Sequence, residues 1–160
     1  MAMHKLMIDD FDDEVYALIA IHCSIEDYRL AFLLNKHLGI NFSRCERDVD
    51  FDYLKASFPI FEWEDQQHQV TWNLVANICK KEEESVVSSG SLFADPIKNI
   101  KSFNLIPEME QVDFFIKIRN DGSPVHERKI VRIIQDIPQI AAVYTVDIFD
   151  LKSRENLIFD

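Results

Sequence analysis

Three glycines in 160 residues leave no Gly-rich phosphate cradle, and none sits in a Walker or dinucleotide-binding fingerprint. The three cysteines, Cys23, Cys45 and Cys79, are an odd number without short spacings. That argues against a disulfide framework and against a zinc ribbon. No serine stands in a nucleophile-elbow context. The five histidines are scattered, and none falls in the HExxH arrangement of a zinc protease. His22 beside Cys23 is the one suggestive pair, but strand neighbours point to opposite faces, which makes a thiolate–imidazole dyad awkward. Asp48-Val49-Asp50-Phe51-Asp52 resembles the start of a calcium loop, yet Tyr53 replaces the sixth-position Gly and Pro59 the twelfth-position Glu. No cofactor and no metal are expected.

Apolar runs are short as well, and none approaches the roughly 18 residues of a membrane helix. Met1-Ala2-Met3-His4-Lys5 leads to Asp9, Asp10, Asp12 and Asp13 and not to the apolar segment of a signal peptide, so a cytoplasmic location is expected. Positive charge is scarce: the net charge of −11 argues against nucleic acid, which asks for a basic face. Arg128, Lys129 and Arg132 form one small basic cluster.

What is present is core-forming material. A hydrophobic content of 48% with twelve phenylalanines suits one domain over residues 1–160. Val15 to Ile21 reads as a buried strand, and Ser24 as the N-cap of a helix that runs to Leu38 and ends at Gly39. Leu30, Ala31, Leu34 and Leu38 form its core stripe, while Phe32 and Leu33 widen the apolar arc beyond what one sheet can cover. Asn35, close to that stripe, needs backbone or tail partners. Phe58 to Glu64 and Gln69 to Cys79 read as a hairpin. A two-residue loop would set Phe61 opposite Trp72 and Trp63 opposite Val70, with Glu62, Glu64, Thr71, Asn73 and Asn77 on a wetter face. Residues 80–105, charged and then Ser-rich, read as an irregular surface connection, in which Val86-Val87 and Leu92-Phe93 offer a further short strand.

Pro107 fixes its own φ and pushes Ile106 towards extended backbone, a rigid entry and not a helix. After it Val112, Phe114, Ile116 and Ile118 alternate with Asp113, Phe115, Lys117 and Arg119. Such alternation marks a strand with one core face and one wet face. Ser123-Pro124 opens a second helix whose stripe is Ile130, Ile133, Ile134 and Ile137, and Ala141 to Ile148 returns as a strand. The fold class is therefore α+β: a mostly antiparallel sheet with both helices on one face, related to ferredoxin-like split βαβ topology with added strands. The tail carries Leu157-Ile158-Phe159, too apolar to stay in water, and Phe32 and Leu33 are its expected dock, with Lys152, Arg154 and Glu155 as the rim.

Ile106-Pro107-Glu108 followed by Val112-Asp113-Phe114 resembles the signature of the IPExxxVDY family of Bacteroidota, Phe114 standing where that pattern has Tyr. Asp27-Tyr28-Arg29-Leu30-Ala31, Asn35-Lys36 and 151–159 are similar to the same family. The resemblance implies a cytoplasmic setting and brings no catalytic residues. Glu108, Glu110 and Asp113 read better as structural acceptors than as an acid–base pair.

The first functional expectation is a non-enzymatic protein-interaction module that holds a protein partner, or a second copy as a homodimer. A small-molecule sensor or enzyme on an ACT-like sheet is the rival, with a pocket around Asn35, His22 and Glu108. An RNA- or ribosome-associated factor is the third. The candidate interaction or signature residues are Phe32, Leu33, Asn35, Pro107, Glu108, Asp113, Lys152, Arg154 and Glu155.

Overall fold

The apolar run near the amino end forms β1 (Tyr16–Cys23), buried on both faces: Ala17, Ile19 and Ile21 belong to one core and Leu18 and Ala20 to another. A strand without a wet side belongs in the middle of a sheet. It is flanked by β9 (Phe114–Asn120) and β10 (Ile140–Val146), both antiparallel to it. In the computed structural model, which describes residues 15–51, 55–85, 97–120 and 124–159, the main sheet has six strands. The others are β2 (Ser43–Arg44), β5 (Ile60–Asp65) and β6 (Val70–Ala76), giving the order β10-β1-β9-β6-β5-β2.

Every neighbouring pair in this sheet is antiparallel. Strands β1 and β6 are therefore parallel with β9 between them, and β9 and β10 are parallel with β1 between them. Helix α1 (Asp27–Leu38) follows β1, and helix α2 (Glu127–Gln135) joins β9 to β10. The chain is α+β, a mostly antiparallel sheet carrying two helices. Leu30 and Leu34 of α1 and Ile130 and Ile134 of α2 pack with Ile19, Leu74 and Ile116 in one core, so both helices lie on the same face.

Helix α1 begins at Asp27 with Glu26 at the N-cap, later than a Ser24 cap implied. It ends where expected: Gly39 is left-handed at φ 66° and donates to the Asn35 carbonyl at 3.0 Å.

The second sheet face departs from expectation. It is covered, not wet. A ribbon of β3 (Val49–Phe51) and β4 (Ala56–Phe58), the segment holding Leu105, Ile106 and Val112, and the tail residues Ile148, Leu151 and Leu157 pack on Leu18, Ala20, Val75 and Phe115. Phe115 and Leu157 are fully buried, each stabilising by about 2–3 kcal/mol. The polar residues on this face are drawn inside: Asn73, Asn77 and Lys117 are buried. The Lys117 ammonium donates to the Leu157 carbonyl at 2.8 Å and lies 4.5 Å from the Tyr16 ring centroid and 5.3 Å from that of Phe159. A bare buried charge would cost several kcal/mol, which the carbonyl and the two π faces offset.

Two further expectations are corrected. Residues 80–105 are not irregular throughout: β7 (Ile78–Ser85) and β8 (Ile97–Asn104) pair as an antiparallel ribbon, while Val86-Val87 and Leu92-Phe93 lie outside the described residues. Cys79 and Phe103, paired across it, pack on the second core, but most of the ribbon is too polar for its alternation to show. In the β5–β6 hairpin the loop has four residues, so Trp63 pairs with Trp72 and Phe61 with Leu74. The slip from the two-residue register is even, so each side chain keeps its face. Asp65 accepts the N–H groups of Gln67 and His68 and so closes this turn. On the edge strand β10, Ala142 and Tyr144 are exposed, while Val146 packs against the second core.

Candidate functional site

The helix layer is incomplete at one end. Helix α1 stops at Gly39, and α2 starts only at Glu127, leaving Pro124 and Val125 outside the helix. Between these two ends the sheet surface formed by Trp63, Val70, Trp72 and Ile118 is roofed only in part, leaving a cleft of about 530 Å³. Leu38, Ile40, Ile130 and Ile133 complete an apolar wall, and Asp65, His68, Asn120, His126 and Lys129 supply the polar groups. Trp63 and Trp72 are the chain's two tryptophans, their ring centroids 6.0 Å apart, and Phe42 meets Trp72 edge-on at 6.3 Å. An apolar hollow of this size with a few polar groups has the make-up of a small-molecule site.

His68 Nδ1 lies 2.7 Å from an Asp65 carboxylate oxygen. Burial pushes the Asp65 carboxyl up, but the His68 imidazole and the turn N–H groups outweigh it and hold it below the ordinary carboxylate value. The described lining contains no serine, threonine or cysteine. Among the described residues no group of three or more His, Cys, Asp or Glu is placed to hold a metal. The cysteines are free thiols. Burial pushes the Cys23 thiol up, against a lowering backbone hydrogen bond from Ile25, and the Asp113 carboxylate adds to the rise. His22 instead meets the Tyr144 hydroxyl at 2.9 Å.

The candidate residues do not form one site: Phe32, Leu33 and Asn35 are on α1, whereas Glu108 meets Ser153, which stands between Lys152 and Arg154. Phe32 is 65% exposed on the outer face of α1, and Leu33 is half-buried against the helix-side core. The tail does not cover them, because Leu157 is in the core on the opposite sheet face. Asn35 holds the backbone of Phe42, accepting its N–H at 2.7 Å and donating to its carbonyl at 3.1 Å. His22, Asn35 and Glu108 therefore each have their own partners and are not brought into one pocket. Lys152 and Glu155 are exposed, and Arg154 lies 5.6 Å from the Phe149 ring centroid.

The Ile-Pro-Glu signature is a structural junction. Pro107 opens a single 3₁₀ turn, Pro107–Met109. Glu108 accepts the N–H and the hydroxyl of Ser153, both at 3.2 Å, and Asn156 donates to the Leu105 carbonyl at 2.9 Å. Asp113 accepts the Cys23 N–H at 3.0 Å and donates its own N–H to Ile21. At the centre is Asn77, which sequence reasoning had assigned to a wet face. Its amide donates to the carbonyls of Met109 at 2.9 Å and Val112 at 2.8 Å, and its side-chain oxygen accepts the Ile106 N–H at 2.8 Å.

No protein-family model, curated protein or solved structure matches this chain. No helix among the described residues is long and apolar enough to cross a membrane. The cleft was the main feature missed. Its one sequence signal was the pair of tryptophans sharing a face at the end of the hairpin.

Proposed function

We propose that the protein is a non-enzymatic binding module of the cytoplasm whose site is the cleft between the ends of α1 and α2. The observation that carries this reading is the partly roofed apolar surface around Trp63 and Trp72, with polar groups gathered beside it. Because the chain has no other tryptophan, its intrinsic emission reports on this one place. In a screen of small metabolites, some compound is expected to raise Tm and to shift tryptophan emission together. Ile133→Phe, which fills the half-buried wall, is expected to abolish both effects while leaving the fold intact. A screen in which no compound moves emission removes the reading.

The exposed aromatics of α1 favour a second reading, self-association. Tyr28 and Phe32, one helical turn apart, are 62% and 65% exposed. A helix face can pair with its own copy across a two-fold axis, and two such aromatics from each chain would form the centre of the contact. Sedimentation should then give a dimer for the natural chain and a monomer for Phe32→Asp. A monomer at every concentration removes it. The family resemblance of residues 106–114 is compatible with either reading, and we take membership of the IPExxxVDY family as part of the proposal.

A further inference from the structure

The chemistry around the cleft narrows the class of its occupant, an inference that rests on the cleft being a binding site. The two ends of the hollow differ. Trp63, Trp72 and Ile118 line an apolar half, while His126 and Lys129 also border a second hollow of about 670 Å³ that reaches Arg128 and Arg132. Arg128, Lys129 and Arg132 are exposed, and none forms an ion pair with a described residue. In a chain of net charge −11, three such cations on one short helix make a local exception to the prevailing field. Of the nearby acids, Asp65 is engaged by His68, and Glu127 is the one carboxylate among the described residues lining the second hollow.

We propose that the cleft takes an amphipathic organic anion, its apolar chain or ring against Trp63 and Trp72 and its carboxylate or phosphate head at Lys129. An anionic head placed among the tryptophans would lose its hydration without compensation, so the head belongs where the two hollows meet. There Lys129 supplies the contact charge, and Arg128 and Arg132 draw the anion in from solution. The rest of the acidic surface repels the same ligand, which confines it to this place.

Four probes with one eight-carbon tail separate the possibilities: octanoate, octyl phosphate, octanol and octyltrimethylammonium, each titrated against tryptophan emission. One or both anions are expected to bind about tenfold more tightly than octanol, and the cation more weakly still. Lys129→Glu, at an exposed position, is expected to weaken the anions about tenfold and to leave octanol unchanged. Octanol binding as tightly as the anions would keep the cleft as a site and overturn the anionic class. Anion binding that Lys129→Glu does not weaken would overturn the placement of the head. Silence across all four probes would overturn both this inference and the reading beneath it.

Discussion

Asn77→Ala is expected to lower the free energy of unfolding by about 3–5 kcal/mol, since a backbone group left unpaired in the interior costs about 1–3 kcal/mol. Asn77 is fully buried and satisfies three main-chain groups, the Ile106 N–H and the carbonyls of Met109 and Val112. Alanine leaves all three without their side-chain partner in the interior. The effect should appear in urea denaturation as a lowered midpoint with an unchanged slope. Asn73→Ala is the matched control, because the Asn73 amide makes longer bonds, at 3.5 Å to Phe61 and 3.2 Å to Glu62. A loss at Asn77 no greater than at Asn73 would show that Asn77 is not the centre of the junction.

Removal of residues 151–160 should have the second large effect, about 5 kcal/mol or more, which is comparable with the whole stability of a domain. Leu151 and Leu157 are buried, and a buried leucine contributes about 2–3 kcal/mol. Their loss also uncovers Ile106 and Phe115 and takes the Leu157 carbonyl and the Phe159 ring from the Lys117 ammonium. The shortened chain should keep helical circular dichroism, lose its near-ultraviolet signal and bind a hydrophobic dye. Leu157→Ala gives a graded version, expected to cost about 2–4 kcal/mol. Cooperative unfolding of the shortened chain at the same urea midpoint as the full chain would refute the covering role of the tail.

The strands and helices were legible because their side chains repeat. The six positions 114–119 alternate, and of the expected stripe Ile130 and Ile134 are buried on α2, Ile137 is buried just past its end, and Ile133 is half-buried. The second layer was hidden for two physical reasons. Its covering pieces, the three-residue strands β3 and β4 and residues 105–112 and 148–157, are too short to carry a period. The face they cover includes Asn73, Asn77 and Lys117, so its alternation looks wet although it is dry. Glu108 and Asp113 could be read as structural acceptors, but their partners, Ser153 and Cys23, are far away in the sequence. The cleft depends on where α2 begins. Ser123-Pro124 has the chemistry of a helix start, yet the helix begins at Glu127, and those few residues decide whether the tryptophans are roofed.

The place of β1 has a consequence for the newly made chain. This strand is made well before both of its sheet neighbours, β9 and β10, which follow it far along the chain. Until they arrive, Leu18, Ile19, Ala20 and Ile21 have apolar side chains and strand edges with no native partner. Closure across so long a separation is slow, and an unpaired apolar strand is a seed for aggregation while it waits. Biogenesis of this protein is therefore most exposed during its own translation, and a chaperone that shields β1 in that interval would raise the yield of folded chain.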